Sequence, residues 1–197
     1  LASTTDIAAF VLVCPDDEGG IDVLPTFWIP AENARLRERR DRVPYEAWIK
    51  QGLIRATEGD VIDFNQIRED ILKMHEQYNI QDIAVDRWNS TSLVTDLEGE
   101  GVKVAMFGQG FRSMSAPSKD LEALVMGRKC HHGGNAVMRW MASNVSIQSD
   151  PAGNIKPSKK TSTEKIDGIV ALVMALARSS QAGNTGSVYD DRGITIL

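Results

Sequence analysis

Ile80-Gln81-Asp82-Ile83-Ala84-Val85-Asp86-Arg87-Trp88 is the stretch that decides the fold. Ile83 and Val85 favour a strand, and an apolar run this short between polar neighbours fits a strand covered on both faces. Asp86 then sits at the strand's carboxyl end, where open α/β sheets gather their ligands. An Asp at this position also suits the cap of a helix starting near Ser90 or Thr91.

A second acid lies in the run from Glu164 to Ala177, which reads as a helix. Thr161 with Glu164 three residues later forms a capping-box pattern at its start. From Ile166 onward the helix is apolar on nearly every side, so it belongs in the core. Asp167 stands inside that apolar run. An unpaired buried carboxylate is costly, so Asp167 is expected to be paired, to cap a chain end or to hold a metal. The plainer alternative is a carboxylate at an exposed helix start, favoured by the helix dipole. A strand-end Asp and a helix Asp far apart in sequence point to one acidic metal site.

The chain of 197 residues is long enough for one domain with a sizeable core, and its 42% hydrophobic content argues against disorder. Cys14 and Cys130 make no disulfide framework and have no metal-ligand spacing, which fits a reducing, intracellular setting. No signal peptide is visible, and the apolar run from Ile166 to Ala177 is too short to span a membrane. The start at Leu1, without Met, is read as that of a fragment or processed form. A net charge of -5 argues against a non-specific nucleic-acid coat but leaves room for a nuclease, whose acids are neutralised by cations. Basic residues cluster from Arg35 to Arg42 and from Lys156 to Lys165; a solvated surface explains either run equally well.

Taken in order, Ile7–Cys14 and Ile21–Ile29 read as an antiparallel hairpin joined by a turn-rich segment. Pro25 marks the second strand as an edge or a bulge. Helices are expected over 31–42, 44–52, 63–78 with Asp63 as cap, 90–100, 116–128 entered through Pro117, and 135–143. A strand is expected over Val102–Phe107, and a protruding β-hairpin between Ser146 and Lys156. The four tryptophans read as core, and His75 as structural. Residues 1–178 form the domain and 179–197 a flexible tail rich in Ser, Gly and Asn. This order gives an α/β fold: a ribonuclease-H-like mixed sheet, antiparallel on one side and parallel on the other, flanked by helices. The fold alone assigns no activity.

Several segments together resemble the C-terminal nuclease domain of the large terminase subunit of tailed bacteriophages. They are Leu1-Ala2-Ser3-Thr4-Thr5-Asp6, Phe27-Trp28-Ile29-Pro30, Val43-Pro44-Tyr45 with Trp48, Ala84-Val85-Asp86-Arg87-Trp88-Asn89, His132-Gly133-Gly134-Asn135 with Trp140 and Asn144, Lys165-Ile166-Asp167-Gly168, and Ser187-Val188-Tyr189. The resemblance covers nearly the whole chain. It implies a metal-dependent endonuclease that cuts concatemeric viral DNA at the start and end of packaging. It implies a carboxylate cluster holding Mg²⁺ or Mn²⁺, with two ions expected. Asp86 and Asp167 match two members of that cluster, and Asp6 matches a second acid of the first-strand loop. The family's first acid belongs to an Asp-Leu-(Ala/Ser) motif whose Asp would precede Leu1. Implied partners are double-stranded DNA, the portal protein, the small terminase subunit and the ATPase domain of the same full-length protein, with no membrane, in the host cell cytoplasm. No phosphate loop of the Gly-x-x-x-x-Gly-Lys-(Ser/Thr) type occurs, so no ATPase is expected within this chain.

The chemistry follows. Two metals roughly 3.5–4 Å apart supply an activated hydroxide, a stabilised leaving oxygen and neutralised phosphate charge. Hard cations want oxygen ligands, which makes Asp suitable and Cys not. Lys165, Lys160, Arg87 and His132 are candidate DNA contacts, directed mainly to phosphates. Two other readings stay open: a non-catalytic module that grips DNA or the portal, and another ribonuclease-H-like nuclease such as a junction resolvase.

Overall fold

A computed structural model describes residues 6–86 and 91–183. In chain order the elements are β1 (Ala8–Pro15), β2 (Ile21–Pro30), α1 (Ala31–Asp41), α2 (Tyr45–Lys50), β3 (Arg55–Thr57), α3 (Phe64–Tyr78), β4 (Ile83–Asp86) and α4 (Thr91–Gly99). They continue with β5 (Val104–Phe107), α5 (Phe111–Met126), β6 (Cys130–His131), α6 (Ala136–Asn144), β7 (Ile147–Ser149), β8 (Ile155–Pro157) and α7 (Asp167–Gly183).

β1 and β2 form the expected antiparallel hairpin, in a register that sets Ala8 against Trp28 and Pro15 against Ile21. The second edge of β2 carries β3 at one end and β6 at the other, both parallel. Pro25 falls between them, where no described strand runs on that side, so β2 is locally the edge strand that Pro requires. β4 and β5 form the parallel side as their own two-stranded ladder.

The pleat explains the layers. Along β1, Ala9, Val11 and Val13 pack into one apolar cluster while Ala8 and Phe10 pack into another. Phe27 and Ile29 of β2 point to the first and Trp28 to the second. The first cluster is closed by α1, α2, α6 and α7, with Tyr45, Trp48 and Trp140 in mutual ring contact at centroid distances of 5.4–6.1 Å. The second is closed by α3 and α4 through Ile67, Ile71, Leu93 and Leu97. Helices therefore cover both faces, as α/β layering demands. The tryptophans read as core behave so: Trp28 is 1% exposed, and its indole Nε1 donates to Asp70 Oδ2 at 2.8 Å. Trp88 lies outside the described residues.

Three local expectations are corrected. α5 starts at Phe111, and Pro117 lies inside it rather than at its entry. Met114 is 1% exposed and Pro117 itself is buried, so apolar burial outweighs the one helix hydrogen bond that Pro forfeits. α7 starts at Asp167, and Thr161 and Glu164 form no capping box for it. The amide of Thr163 instead donates to the Asn144 carbonyl at 3.3 Å, and Asn144 Nδ2 donates to the Lys165 carbonyl at 3.2 Å. The end of α6 thus holds residues 163–165 off a helical path. Finally, α7 continues through Gly183, past the Ser179 expected to open the tail; residues 184–197 lie outside the described residues.

The hairpin between Ser146 and Lys156 is present as β7 and β8. Asp150 closes its turn, accepting from the amides of Ala152 and Asn154 at 2.9 Å each, and Gly153 supplies the positive φ of 76°. β7 is exposed throughout, while β8 leans on α5, where the Ile155 amide donates to Ser115 Oγ at 3.2 Å.

Candidate active site

A groove of about 510 Å³ runs between β1 and β4, floored by α7. Asp86, the last residue of β4, and Asp167, the first residue of α7, both line it. Asp86 stands at the carboxyl end of β4, after the apolar Ile83-Ala84-Val85, as the sequence implied. Gly168, next along α7 after Asp167, lets the helix pack closely. A Cβ there would lie 2.8 Å from Met138 Sδ and 2.9 Å from Phe27 Cε1, so only glycine lets α7 sit this close to α6 and β2. At the far end of the groove the Arg178 guanidinium grips Asp82, with Nε donating to both carboxylate oxygens at 3.1 and 3.2 Å. That fork fastens α7 to the start of β4 and so fixes the span between the two site acids.

Asp167 is 12% exposed and carries a partner: Lys159 Nζ lies 2.5 Å from its Oδ1. A cation already compensates this carboxylate, so the position suits positive charge. The donor chemistry fits a hard divalent cation, since both groove acids offer oxygen. Among the described residues, however, no group of three His, Cys, Asp or Glu side chains lies close enough to hold a metal ion.

Asp6 is drawn elsewhere. Its Oδ1 accepts from the Ile7 amide at 2.9 Å and Arg37 at 3.1 Å, and its Oδ2 accepts from Lys165 at 2.7 Å. It does not line the groove; it ties the start of β1 to α1 and to the segment before Asp167. Burial pushes its carboxyl up, but the hydrogen bond and charge of Lys165, the Ile7 amide and Arg37 together hold it below its ordinary 3.8. A carboxyl that titrates lower when folded stabilises the fold above its unfolded pKa and loses that contribution as pH falls through the folded value. Asp6→Asn is therefore expected to lower stability by about 2 kcal/mol at neutral pH. The variant's acid unfolding curve should also be flatter below about pH 4. Urea titrations at a series of pH values check both; parallel wild-type and variant curves would remove Asp6 as an electrostatic anchor.

The other candidates separate. Lys165 faces Asp6, and Lys160 lines a smaller pocket beside the groove. His132 follows β6, which pairs with β2 at Ile21 and Asp22, opposite the Pro15 end of β1. Asp6 precedes the Ala8 end, so the length of β1, roughly 20 Å at the usual strand rise, separates His132 from it. Arg87 lies outside the described residues. Sequence reasoning missed Lys159 as the partner of Asp167 and Arg37 as a partner of Asp6. Arg37 stood in a basic run that reads equally well as a solvated face, and its 11% exposure comes from tertiary packing alone.

A mixed sheet built on the β1–β2 hairpin, a separate parallel ladder that ends on a carboxylate, and helices on both faces fit the ribonuclease-H-like class. The particular family is the terminase large subunit endonuclease domain, to which the chain belongs: that family's model matches residues 1–182. The chain is 32% identical over 194 residues to the terminase large subunit of Enterobacteria phage HK97, covering 97% of this chain and 38% of that protein. It is 31% identical over 163 residues to protein YmfN of Escherichia coli K12, covering 80% of this chain and 36% of that protein. It thus spans well under half the length of either relative. The crystal structure of the HK97 large terminase superposes with a TM-score of 0.84 at 33% identity, covering 90% of this chain and 38% of that one. Among the described residues, no helix is long and apolar enough to cross a membrane.

Proposed function

We propose that this domain is a Mg²⁺- or Mn²⁺-dependent endonuclease that cuts concatemeric viral DNA during genome packaging. One observation carries the reading: Asp86 and Asp167, far apart in the chain, line one groove beside a resident cation. When bound, divalent ions there would activate water and neutralise the charge that develops on the scissile phosphate. Asp86 and Asp167 would hold them. Asp6 ties Arg37 of α1 to Lys165, which lies two residues before Asp167, and this makes it a positioning group for the site. Lys165 and Lys160 supply positive charge for the DNA backbone.

The full-length protein would act on double-stranded DNA with the portal protein, the small terminase subunit and its own ATPase domain, in the host cell cytoplasm. A second reading is a module that grips DNA without cutting it. Plasmid cleavage with Mg²⁺ or Mn²⁺ separates them. Cutting that starts with either metal and stops with excess EDTA is expected. DNA binding without cutting, in the full-length protein, would establish the gripping module. A preference for four-way junctions over linear duplex would instead move the domain to the resolvases.

A further inference from the structure

At the base of the β7–β8 hairpin lies a second pocket of about 210 Å³. Lys156, Lys159 and Lys160 line it together with Gln109 and Gln148. It adjoins the groove of the two acids, since Gln109, Lys159 and Val170 line both. No carboxylate lines the smaller pocket, although the chain as a whole carries a net charge of -5. Three lysines and no carboxylate in the lining give the pocket a positive charge that suits an anion.

Each lysine has a distinct posture. Lys156 is held by its own contacts: Nζ donates to the Gln109 carbonyl at 3.2 Å and lies 5.2 Å from the Phe111 ring centroid. Lys159 turns to Asp167 in the neighbouring groove. Lys160 is exposed. The glutamine amides add neutral donors, the kind that orient a phosphate oxygen without adding charge.

We infer that this pocket seats a backbone phosphate of the DNA strand next to the one that is cut, and that Lys159 exchanges Asp167 for that phosphate. The inference rests on the nuclease reading above. The exchange is balanced in charge: a divalent cation entering at Asp167 repels the ammonium, and a phosphate in the pocket receives it. Lys159 thereby couples occupation of the acid site to the grip on DNA.

The test uses a short fluorescent DNA duplex and anisotropy across a salt series, with Ca²⁺ supplied as the hard cation. Lys156→Met, Lys159→Met and Lys160→Met keep the aliphatic stems, and thermal melts recorded for each variant check that it is folded. Each is expected to weaken binding several-fold and to lower the slope of log affinity against log salt by about 0.9. Lys73→Met, on the exposed side of α3, should change neither. Calorimetry with Mn²⁺ alone should show Lys159→Met binding the ion several-fold more tightly, because Asp167 has lost its resident cation. Affinities and salt slopes equal to wild type in all three variants would overturn the seat. Unchanged Mn²⁺ affinity in Lys159→Met would overturn the exchange. Cleavage by Asp167→Asn is measured alongside. Lost cleavage with unchanged lysine slopes sinks the seat and leaves the nuclease. Reduced slopes with cleavage indifferent to Asp167 sink the nuclease reading on which the seat was built.

Discussion

Asp167→Asn and Asp86→Asn are each expected to lower the proposed Mn²⁺-dependent cleavage of duplex DNA by on the order of 100-fold or more, the rate equivalent of about 3 kcal/mol of lost transition-state stabilisation. Asn keeps the shape of the side chain but offers a neutral amide where a cation needs charge. Stability should change little by comparison. Lys159, the group left without its partner in Asp167→Asn, is 48% exposed and returns to water. The effect therefore separates from folding, and thermal melts recorded beside the cleavage assay show whether it does. Cleavage within a few-fold of wild type in either variant would remove that acid from the site.

Gly168→Val is the second large effect, and it acts on packing. A Cβ at position 168 meets Met138 Sδ at 2.8 Å, Phe27 Cε1 at 2.9 Å and Met141 Sδ at 3.0 Å. Valine adds two methyl groups to that collision, in a core where α6, α7 and β2 meet. Overpacking of this kind costs about 3 kcal/mol, which lowers the melting temperature by about 6–12 °C in a chain of this size. Because Asp167 immediately precedes the glycine, cleavage should fall as well, even at temperatures where the variant is folded. A melting temperature equal to wild type would mean that α7 can retreat from α6 without loss, and would undo the account of why glycine stands there.

Much of this was legible in the residues themselves. The β4 strand and its terminal acid followed from a short apolar run with polar flanks, because burial on both faces leaves that mark. The pairing of β1 with β2 followed from two apolar runs joined by Pro15-Asp16-Asp17-Glu18-Gly19-Gly20. The start of α7 did not follow, since the buried Asn144 of α6 fixes it from outside the segment. Nor did the partners of the acids. Lys165 and Asp6 are 159 residues apart, and nothing periodic connects them. Lys159 stood in a lysine-rich stretch where any of several neighbours fitted equally well. Local patterns report burial and backbone preference; ion pairs between distant segments depend on how the layers close.

The burial of α7 has a consequence for the timing of synthesis. This helix supplies Ile169, Leu172 and Leu176 to one apolar cluster and Val170, Val173 and Met174 to another, and it is the last described element of the chain. A ribosome adds about 5–20 residues per second, so β4 and its acid emerge seconds before the helix that completes the groove. Until α7 docks, Asp86 has no facing acid and Asp167 no fixed place. On the nuclease reading, a chain truncated before α7 would therefore be inert toward nucleic acid, and cutting would wait until α7 has left the exit tunnel.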